Sequence, residues 1–195
     1  MATPKSQRIG IWIVAIVLTV GTLGSFLVMG LSVNNQKIDQ AEYQKQYDEY
    51  LASQKASSQT NAANSEAFGG YSARQFDSAS VSKLNVEVLK HGDGEIIKAT
   101  DSINSSYFGW LSDGTIFDSS KKIGLDDSPV TFSLSGVISG WTEGLTGINV
   151  GSIVRLTIPA DKAYGAQDSG IIPANSPLEF IVEVHKIDNS STQES

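Results

Sequence analysis

Apolar residues follow two contrasting patterns along this chain: an unbroken run near the start, and alternation with polar residues after residue 80. The run extends from Ile9 to Val33 and contains no charged residue. About 20 apolar residues in a helix cross the hydrocarbon core of a bilayer, so the run predicts a transmembrane anchor. A cleaved signal peptide is the alternative, with Gly30 and Ser32 as small residues before a cut, but its apolar part is usually about 7–15 residues long.

Basic residues beside the predicted anchor set its expected orientation. Lys5 and Arg8 lie on the short N-terminal side, and positive charge near a span favours the cytoplasmic face. Residues 1–8 are therefore expected in the cytoplasm and the rest of the chain outside it, as in a single-pass protein of the cytoplasmic membrane. Lys37 and Lys45 on the far side reduce this asymmetry.

The segment at 34–80 is polar and predicts a stalk between the anchor and a folded domain. Gln36–Ala56 contains good helix formers and neither Gly nor Pro, so it predicts a helix. One narrow face of that helix carries Tyr43, Tyr47, Tyr50 and Leu51. The face is either part of a solvated helix beside the membrane or a surface for self-association or for a client. Ser57–Ser80 is small, polar and aperiodic, which is typical of a flexible linker.

Alternation of apolar and polar residues begins near Val81 and predicts β-strands. The segments Leu84–Val88 and Glu95–Ala99 flank the turn-forming HGDG at 91–94, which indicates a hairpin. Further strands are expected at Ser105–Leu111, Thr115–Asp118, Val130–Leu134, Ile153–Pro159 and Leu178–Lys186.

One short helix is expected among these strands, at Ser139–Leu145. Ser139 would cap its start and Gly147 would end it. An antiparallel sheet covered by one short helix is an α+β fold, and we expect it to occupy residues 81–188. Residues 189–195 are expected to form a disordered tail.

Net charge and cysteine content exclude several classes of function. The chain has 14 basic and 21 acidic residues, a net charge of -7, so it lacks the positive charge that attracts nucleic acid. It has no cysteine, which excludes disulfides, thiolate metal sites and a cysteine nucleophile. His91 and His185 are far apart in the sequence, and we expect neither a metal nor a cofactor.

Three stretches of the domain carry a set of motifs in a fixed order. They are YFGWLSDGTIFDSS at 107–120, VISGWTEGLTGINVGSIVRLTIPADKAYG at 137–165 and GIIPANSPLEFIVEVHKI at 170–187. Together they resemble the FKBP-type peptidyl-prolyl cis-trans isomerases from about Leu84 to Ile187, and the predicted anchor indicates a membrane-anchored bacterial type. The resemblance implies a twisted antiparallel half-barrel wrapped around a short helix, in agreement with the strand pattern.

The resemblance also implies a pocket for a prolyl ring. Its catalytic residues would be Tyr107, Phe117, Asp118, Ile138, Trp141, Tyr164 and Phe180, and its further substrate-binding residues Val130, Val137, Ile171 and Ile172. Trp141 would form the floor and Asp118 an acceptor at the rim. The Ile138 N–H and the Tyr164 hydroxyl would bond substrate carbonyls. Phe117 and Trp141 are also compatible with a place in the core of a small β domain.

Such a pocket predicts catalysis of X–Pro bond rotation without a nucleophile, metal or cofactor. The clients would be proline-containing segments of exported or envelope proteins, and macrolide inhibitors are further candidate ligands. Val130, Gly136 and the stretch at 166–170 depart from the family pattern, and we expect them to affect inhibitor affinity and substrate preference. The alternatives are a non-catalytic module or chaperone that holds proline-containing segments, and an assembly scaffold built on the stalk helix. We expect the domain to be monomeric.

Overall fold

The structure is a computed structural model that describes residues 40–188. The predicted anchor at 9–33, the tail at 1–8 and the tail at 189–195 lie outside the described residues. Across residues 40–188, no helix combines the length and the apolar character needed to cross a membrane. The chain forms two compact units that divide after Ser57.

Helix α1 spans Gln40–Ala63. The helix expected at 36–56 is therefore present over its described part and continues to Ala63. In the first unit, side chains of the expected aromatic face are exposed to solvent: Tyr47 (49%), Tyr50 (40%) and Leu51 (45%).

One sheet of six antiparallel strands dominates the second unit. The strands are β1 Asn85–Lys90, β2 Ser102–Trp110, β3 Ile116–Ser119, β4 Val130–Ser133, β5 Ile153–Ile158 and β6 Leu178–Ile187. They lie in the order β1-β5-β6-β2-β3, and β4 pairs with the first half of β2. The antiparallel α+β fold predicted from the alternation is confirmed. Short 3-10 turns lie at Ser78–Ser80, Leu134–Gly136 and Ala160–Lys162.

Helix α2 spans Ser139–Leu145 and lies against β5. Gly140 permits this contact, because a side-chain carbon at that position would overlap with Ile158. The helix has its expected bounds, but the N-cap residue is Ile138. The prediction of a Ser139 cap is wrong, since that residue is already the first of the helix and its hydroxyl donates to the Lys162 carbonyl oxygen at 3.4 Å.

The chain does not fold back along β1 after the HGDG turn, so the hairpin prediction is wrong. Strand β1 pairs with β5 instead. Gly92 packs directly against the backbone at 150–152, where any side chain would overlap with it, and this contact directs the chain away from β1. The segment after the turn then bonds to the loop before β5, and the Ile97 N–H donates to the Ile148 carbonyl oxygen at 2.9 Å.

The segment expected to be a flexible linker belongs, from residue 58 onward, to the second unit. Phe68 is buried, and its ring meets the ring of Phe108 edge-on at 5.6 Å. The indole N–H of Trp110 donates to the Arg74 carbonyl oxygen at 2.9 Å. The structure differs from the expectation here because the contacts depend on partners far along the chain, which local composition does not reveal.

Candidate active site

Five aromatic rings meet in one cluster, here called the ring cluster. They are Tyr107 on β2, Phe117 on β3, Phe132 on β4, Trp141 on α2 and Phe180 on β6. Side chains alternate along a strand, so each strand presents its ring on the sheet face that carries α2. All five residues are only 4–8% exposed, so the cluster is nearly closed to water.

Trp141 lies at the centre of the ring cluster. Its ring centroid is 5.5 Å from that of Tyr107, 5.3 Å from that of Phe132 and 5.4 Å from that of Phe180, each in an edge-on arrangement. Phe180 in turn meets Phe117 edge-on at 5.5 Å. Each such pair adds about 0.5–1.5 kcal/mol beyond the apolar area that it buries. The pairs therefore fix the angles of the rings as well as their burial.

A glycine on β2 makes room for two of these rings. A side-chain carbon added at Gly109 would lie 2.5 Å from the Phe180 ring and 2.6 Å from the Phe117 ring. Such distances are far below van der Waals contact, so only glycine at this position leaves room for both rings of the Phe117–Phe180 pair beside the strand.

The Asp118 carboxylate accepts hydrogen bonds from four donors. The Tyr107 hydroxyl donates to Oδ2 at 2.5 Å, which links the carboxylate to the ring cluster. Oδ1 accepts from the Ser119 N–H at 2.8 Å and from Asn61 Nδ2 at 2.8 Å, and Lys122 Nζ lies 3.2 Å away. Asp118 is thus held in one orientation at the edge of the ring cluster.

Both tyrosines of the predicted site keep their protons strongly. Burial, and then the negative charge of Asp118, raise the pKa of Tyr164 to about 12. The pKa of Tyr107 is also raised well above its usual value, first by burial and then by the charge of Asp118 and the hydrogen bond to it. Both hydroxyls are therefore neutral, and able to donate, throughout the physiological pH range.

Two further predicted residues lie where the chain enters α2. Val137 and Ile138 are half-buried, and the Ile138 carbonyl accepts from the N–H groups of Trp141 and Thr142. Among the described residues, no group accepts from the Ile138 N–H, as expected for the start of a helix. The indole N–H of Trp141 is buried and likewise lacks an acceptor within the described part of the chain.

The remaining predicted residues lie around the ring cluster or apart from it. Val130 is half-buried two residues before Phe132 on β4, so both side chains are on the same face. Ile172 is buried in the loop before β6. Ile171 lines a groove of about 470 Å³ together with Ile116 and Ala62, and none of the five rings lines that groove.

Sequence reasoning missed three residues that the structure brings to this region. Phe132 completes the ring cluster, and Asn61 and Lys122 bond to Asp118. The alternation in VTFS at 130–133 places Phe132 on the same face as Val130, so the signal for Phe132 was present. Asn61 lies 57 residues before Asp118 in a segment without a motif, and it had no such signal.

Residues 40–188 contain no cluster of three or more His, Asp or Glu side chains that could hold a metal ion. The ring cluster offers apolar surface, neutral hydroxyl donors and one fixed carboxylate. This combination suits the binding and reshaping of a neutral ligand, because the side chains that it gathers are not those of a nucleophile and its base.

Comparison with known proteins links this arrangement to one family. The family model of FKBP-type peptidyl-prolyl cis-trans isomerase matches residues 93–185. FK506-binding protein 1 of Dictyostelium discoideum is 38% identical over 104 residues, which cover 52% of this chain and 94% of the relative. A solved peptidyl-prolyl cis-trans isomerase from Pseudomonas syringae pv. tomato aligns with a TM-score of 0.50 at 30% identity and covers 71% of this chain and 96% of its own.

Longer bacterial relatives match as well. The FKBP-type isomerase FkpA of Aeromonas hydrophila is 41% identical over 150 residues, which cover 77% of this chain and 48% of the relative. The FKBP-type 22 kDa isomerase of Escherichia coli is 45% identical over 107 residues, which cover 54% of this chain and 50% of the relative. The chain thus spans about half the length of these curated relatives.

Proposed function

Since this chain belongs to the FKBP-type peptidyl-prolyl cis-trans isomerase family, we propose that it catalyses rotation about the peptide bond that precedes proline. The ring cluster is the observation that carries this proposal, because it gathers aromatic residues from four strands around Trp141. Rotation makes and breaks no covalent bond, so the reaction requires no nucleophile. Its barrier of about 18–20 kcal/mol comes from the loss of amide resonance in the twisted state.

An apolar surface of fixed shape lowers this barrier by differential binding. Resonance in the planar bond places partial negative charge on the carbonyl oxygen, and the twisted bond has lost that charge separation. Apolar surroundings therefore favour the twisted form relative to the planar one. Only interactions that are stronger in the transition state accelerate the reaction, and the edge-on rings provide a surface that can fit the twisted form.

Seven of the predicted residues have a direct task in the proposed complex. The prolyl ring lies over Trp141, with walls formed by Tyr107, Phe117, Val137 and Phe180. The Ile138 N–H donates to one substrate carbonyl, and the Tyr164 hydroxyl donates to another. The raised pKa of Tyr164, about 12, supports this role because the hydroxyl keeps its proton. Phe132 contacts Trp141 and helps to hold its ring in place.

We further propose that the domain works outside the cytoplasm on exported or envelope proteins. The uncharged run at 9–33, with Lys5 and Arg8 before it, supports a single-pass anchor in the cytoplasmic membrane. Uncatalysed X–Pro isomerisation takes tens to hundreds of seconds, which is slow enough to limit folding of such clients. Protease added to cells stripped of the layers outside the cytoplasmic membrane should digest the domain, whereas a domain protected until the cytoplasmic membrane is lysed would contradict this location.

A refolding assay tests the catalytic proposal against the alternative of a non-catalytic proline-binding module. The substrate is an unfolded protein whose slow refolding phase is limited by X–Pro isomerisation. A catalyst at one-hundredth of the substrate concentration accelerates the slow phase because it turns over. A binding module at that concentration leaves the rate unchanged, and this result would contradict the proposal.

A further inference from the structure

The end of helix α1 lies beside the loop that follows β3, and both belong to the second unit. Ser65 and Lys122 form an isolated antiparallel bridge. The Ile123 N–H donates to the Asn64 carbonyl oxygen at 2.9 Å, and the Glu66 N–H donates to the Lys121 carbonyl oxygen at 3.0 Å. These backbone bonds hold the residues that directly follow α1 against the loop after β3, and so they place the last turn of α1 beside Asp118.

Asn61, in that last turn, uses both ends of its side-chain amide. Nδ2 donates to Asp118 Oδ1 at 2.8 Å, and Oδ1 accepts from Lys122 Nζ at 2.8 Å. The charges of the two partners determine the orientation of the amide, because a flipped amide would place its oxygen against a carboxylate and its NH₂ against an ammonium. Asn61 therefore bridges the ion pair of Lys122 and Asp118, whose own contact is 3.2 Å.

The ion pair with Lys122 would by itself orient the Asp118 carboxylate less firmly than the ion pair together with Asn61. Its side chain is 27% exposed, and partly exposed ion pairs contribute little by themselves. The ammonium is placed by Asn61 Oδ1 at 2.8 Å and by Ser65 Oγ at 3.0 Å, and both acceptors come from the end of α1 and the turn after it. The orientation of Lys122 thus depends on the same segment.

The carboxylate connects this segment to the ring cluster. Asp118 Oδ2 accepts from the Tyr107 hydroxyl at 2.5 Å, and the Tyr107 ring packs edge-on against Trp141 at 5.5 Å. A carboxylate that rotated away from Asn61 would also lose its alignment with that hydroxyl. The chain of contacts runs from Asn61 through Asp118 and Tyr107 to the centre of the ring cluster.

We infer that Asn61 is a positioning residue of the isomerase site, and that it acts through Asp118. The inference rests on the proposed function. It makes the end of α1 part of the site, although that segment lies outside the stretches that carry the family motifs. Asn61 places the carboxylate, and through it the Tyr107 hydroxyl, so its loss should reduce catalysis only while Asp118 is present.

A double-mutant cycle in the full-length chain tests this inference. Asn61→Leu should lower kcat/KM for a proline peptide about fivefold, and Asn61→Asp should lower it at least as much because it places a second carboxylate against Asp118. In the Asp118→Ala background, Asn61→Leu should cause no further loss. Asn64→Ala is the matched control and should leave kcat/KM unchanged. Asn64 directly follows α1, and its exposed side-chain amide donates to the Thr60 carbonyl oxygen and to no other group among the described residues.

Either of two kinetic results would overturn the inference: an unchanged kcat/KM in Asn61→Leu, or the same fold loss with and without Asp118. A second readout does not depend on activity. In NMR spectra of the ¹⁵N-labelled chain, Asp118→Ala should shift the side-chain amide signal of Asn61 and leave that of Asn64 in place. If the wild-type chain accelerates no isomerisation, the proposed function fails, whereas an Asn61 signal unmoved by Asp118→Ala overturns the positioning inference itself.

Discussion

Tyr107 joins Asp118 and Trp141: its hydroxyl donates to Asp118 Oδ2 at 2.5 Å while its ring meets the Trp141 ring edge-on at 5.5 Å. One residue therefore connects the polar rim to the apolar centre of the proposed site. This arrangement separates two effects that mutations can test, since the hydroxyl can be removed without the ring.

Tyr107→Phe should leave the ring cluster intact and weaken the hydrogen bonding that orients Asp118. The phenylalanine ring can make the same edge-on contacts, but Asp118 loses one of its four donors. We expect kcat/KM to fall about three- to tenfold, which corresponds to about 0.7–1.4 kcal/mol of transition-state stabilisation. Peptide-based isomerase kinetics measure this loss. A loss far above tenfold would contradict this expectation, because it would mean that the hydroxyl contributes more than one of four donors to Asp118.

Alkaline pH should destabilise the fold through Tyr164. Its pKa is raised to about 12 in the folded chain, against a value of about 10 when unfolded, so the folded state retains the proton more strongly. The associated stability is complete below pH 10 and is lost as the pH rises from about 10 towards 12. Denaturant unfolding at a series of pH values should show this decline, and Tyr164→Phe should make it shallower. An unchanged slope in Tyr164→Phe would contradict the assignment.

Gly109→Ala should displace the two rings of the ring cluster that pack on β2 at this position. The added methyl group would lie 2.5 Å from the Phe180 ring and 2.6 Å from the Phe117 ring, so the rings or the strand must move. Overpacking of this kind costs about 1–3 kcal/mol of unfolding free energy. Gly136→Ala is the matched control, because among the described residues no atom beyond the two chain neighbours lies within 4 Å of its added carbon. Equal stability of the two variants, measured by denaturant unfolding, would show that the site tolerates ring displacement.

Phe68→Ala should destabilise the sheet although Phe68 lies outside the expected domain. Its side chain is 7% exposed and packs against Phe108 on β2, so its removal leaves a cavity beside the Phe108 ring. The expected cost is about 3 kcal/mol, the lower end of the range for Phe→Ala in a core. Thermal or denaturant unfolding measures it, with the exposed Arg74→Ala as control. A stability equal to wild type would show that the packing of Phe68 on Phe108 does not stabilise the sheet.

Strands with one buried face could be predicted from sequence, and segments held by distant contacts could not. In β6, Leu178, Phe180, Val182 and Val184 are all buried, and that alternation is visible in the sequence. The segment after residue 57 shows no period, because it is held by single contacts such as those of Phe68 and Asn61. Glu95–Ala99 follows the HGDG turn and so predicts the second strand of a hairpin, but the close approach of Gly92 to the loop at 150–152 decides its path.

The site residues that lie in the three quoted motif stretches could be predicted from the sequence. Tyr107, Phe117, Trp141 and Phe180 belong to the quoted stretches, and the structure gathers their rings. Phe132 lies between those stretches, on a short strand whose alternation also suits an ordinary core residue. Asn61 could not be found without the fold, because its contact with Asp118 depends on where the end of α1 lies.

Acceleration of X–Pro bond rotation by the ring cluster is the central property proposed for this protein. Exchange spectroscopy by NMR measures that rate on a short peptide with leucine before proline, in the presence of the full-length chain. For wild type we expect cis–trans exchange well above the uncatalysed rate. Phe117→Ala should lower the catalysed exchange rate at least tenfold. Tyr47→Ala, which removes an exposed ring of α1, should exchange the peptide at the wild-type rate. Peptide signals that shift on binding while cis and trans forms exchange no faster than in buffer would contradict the account and leave a proline-binding module in its place.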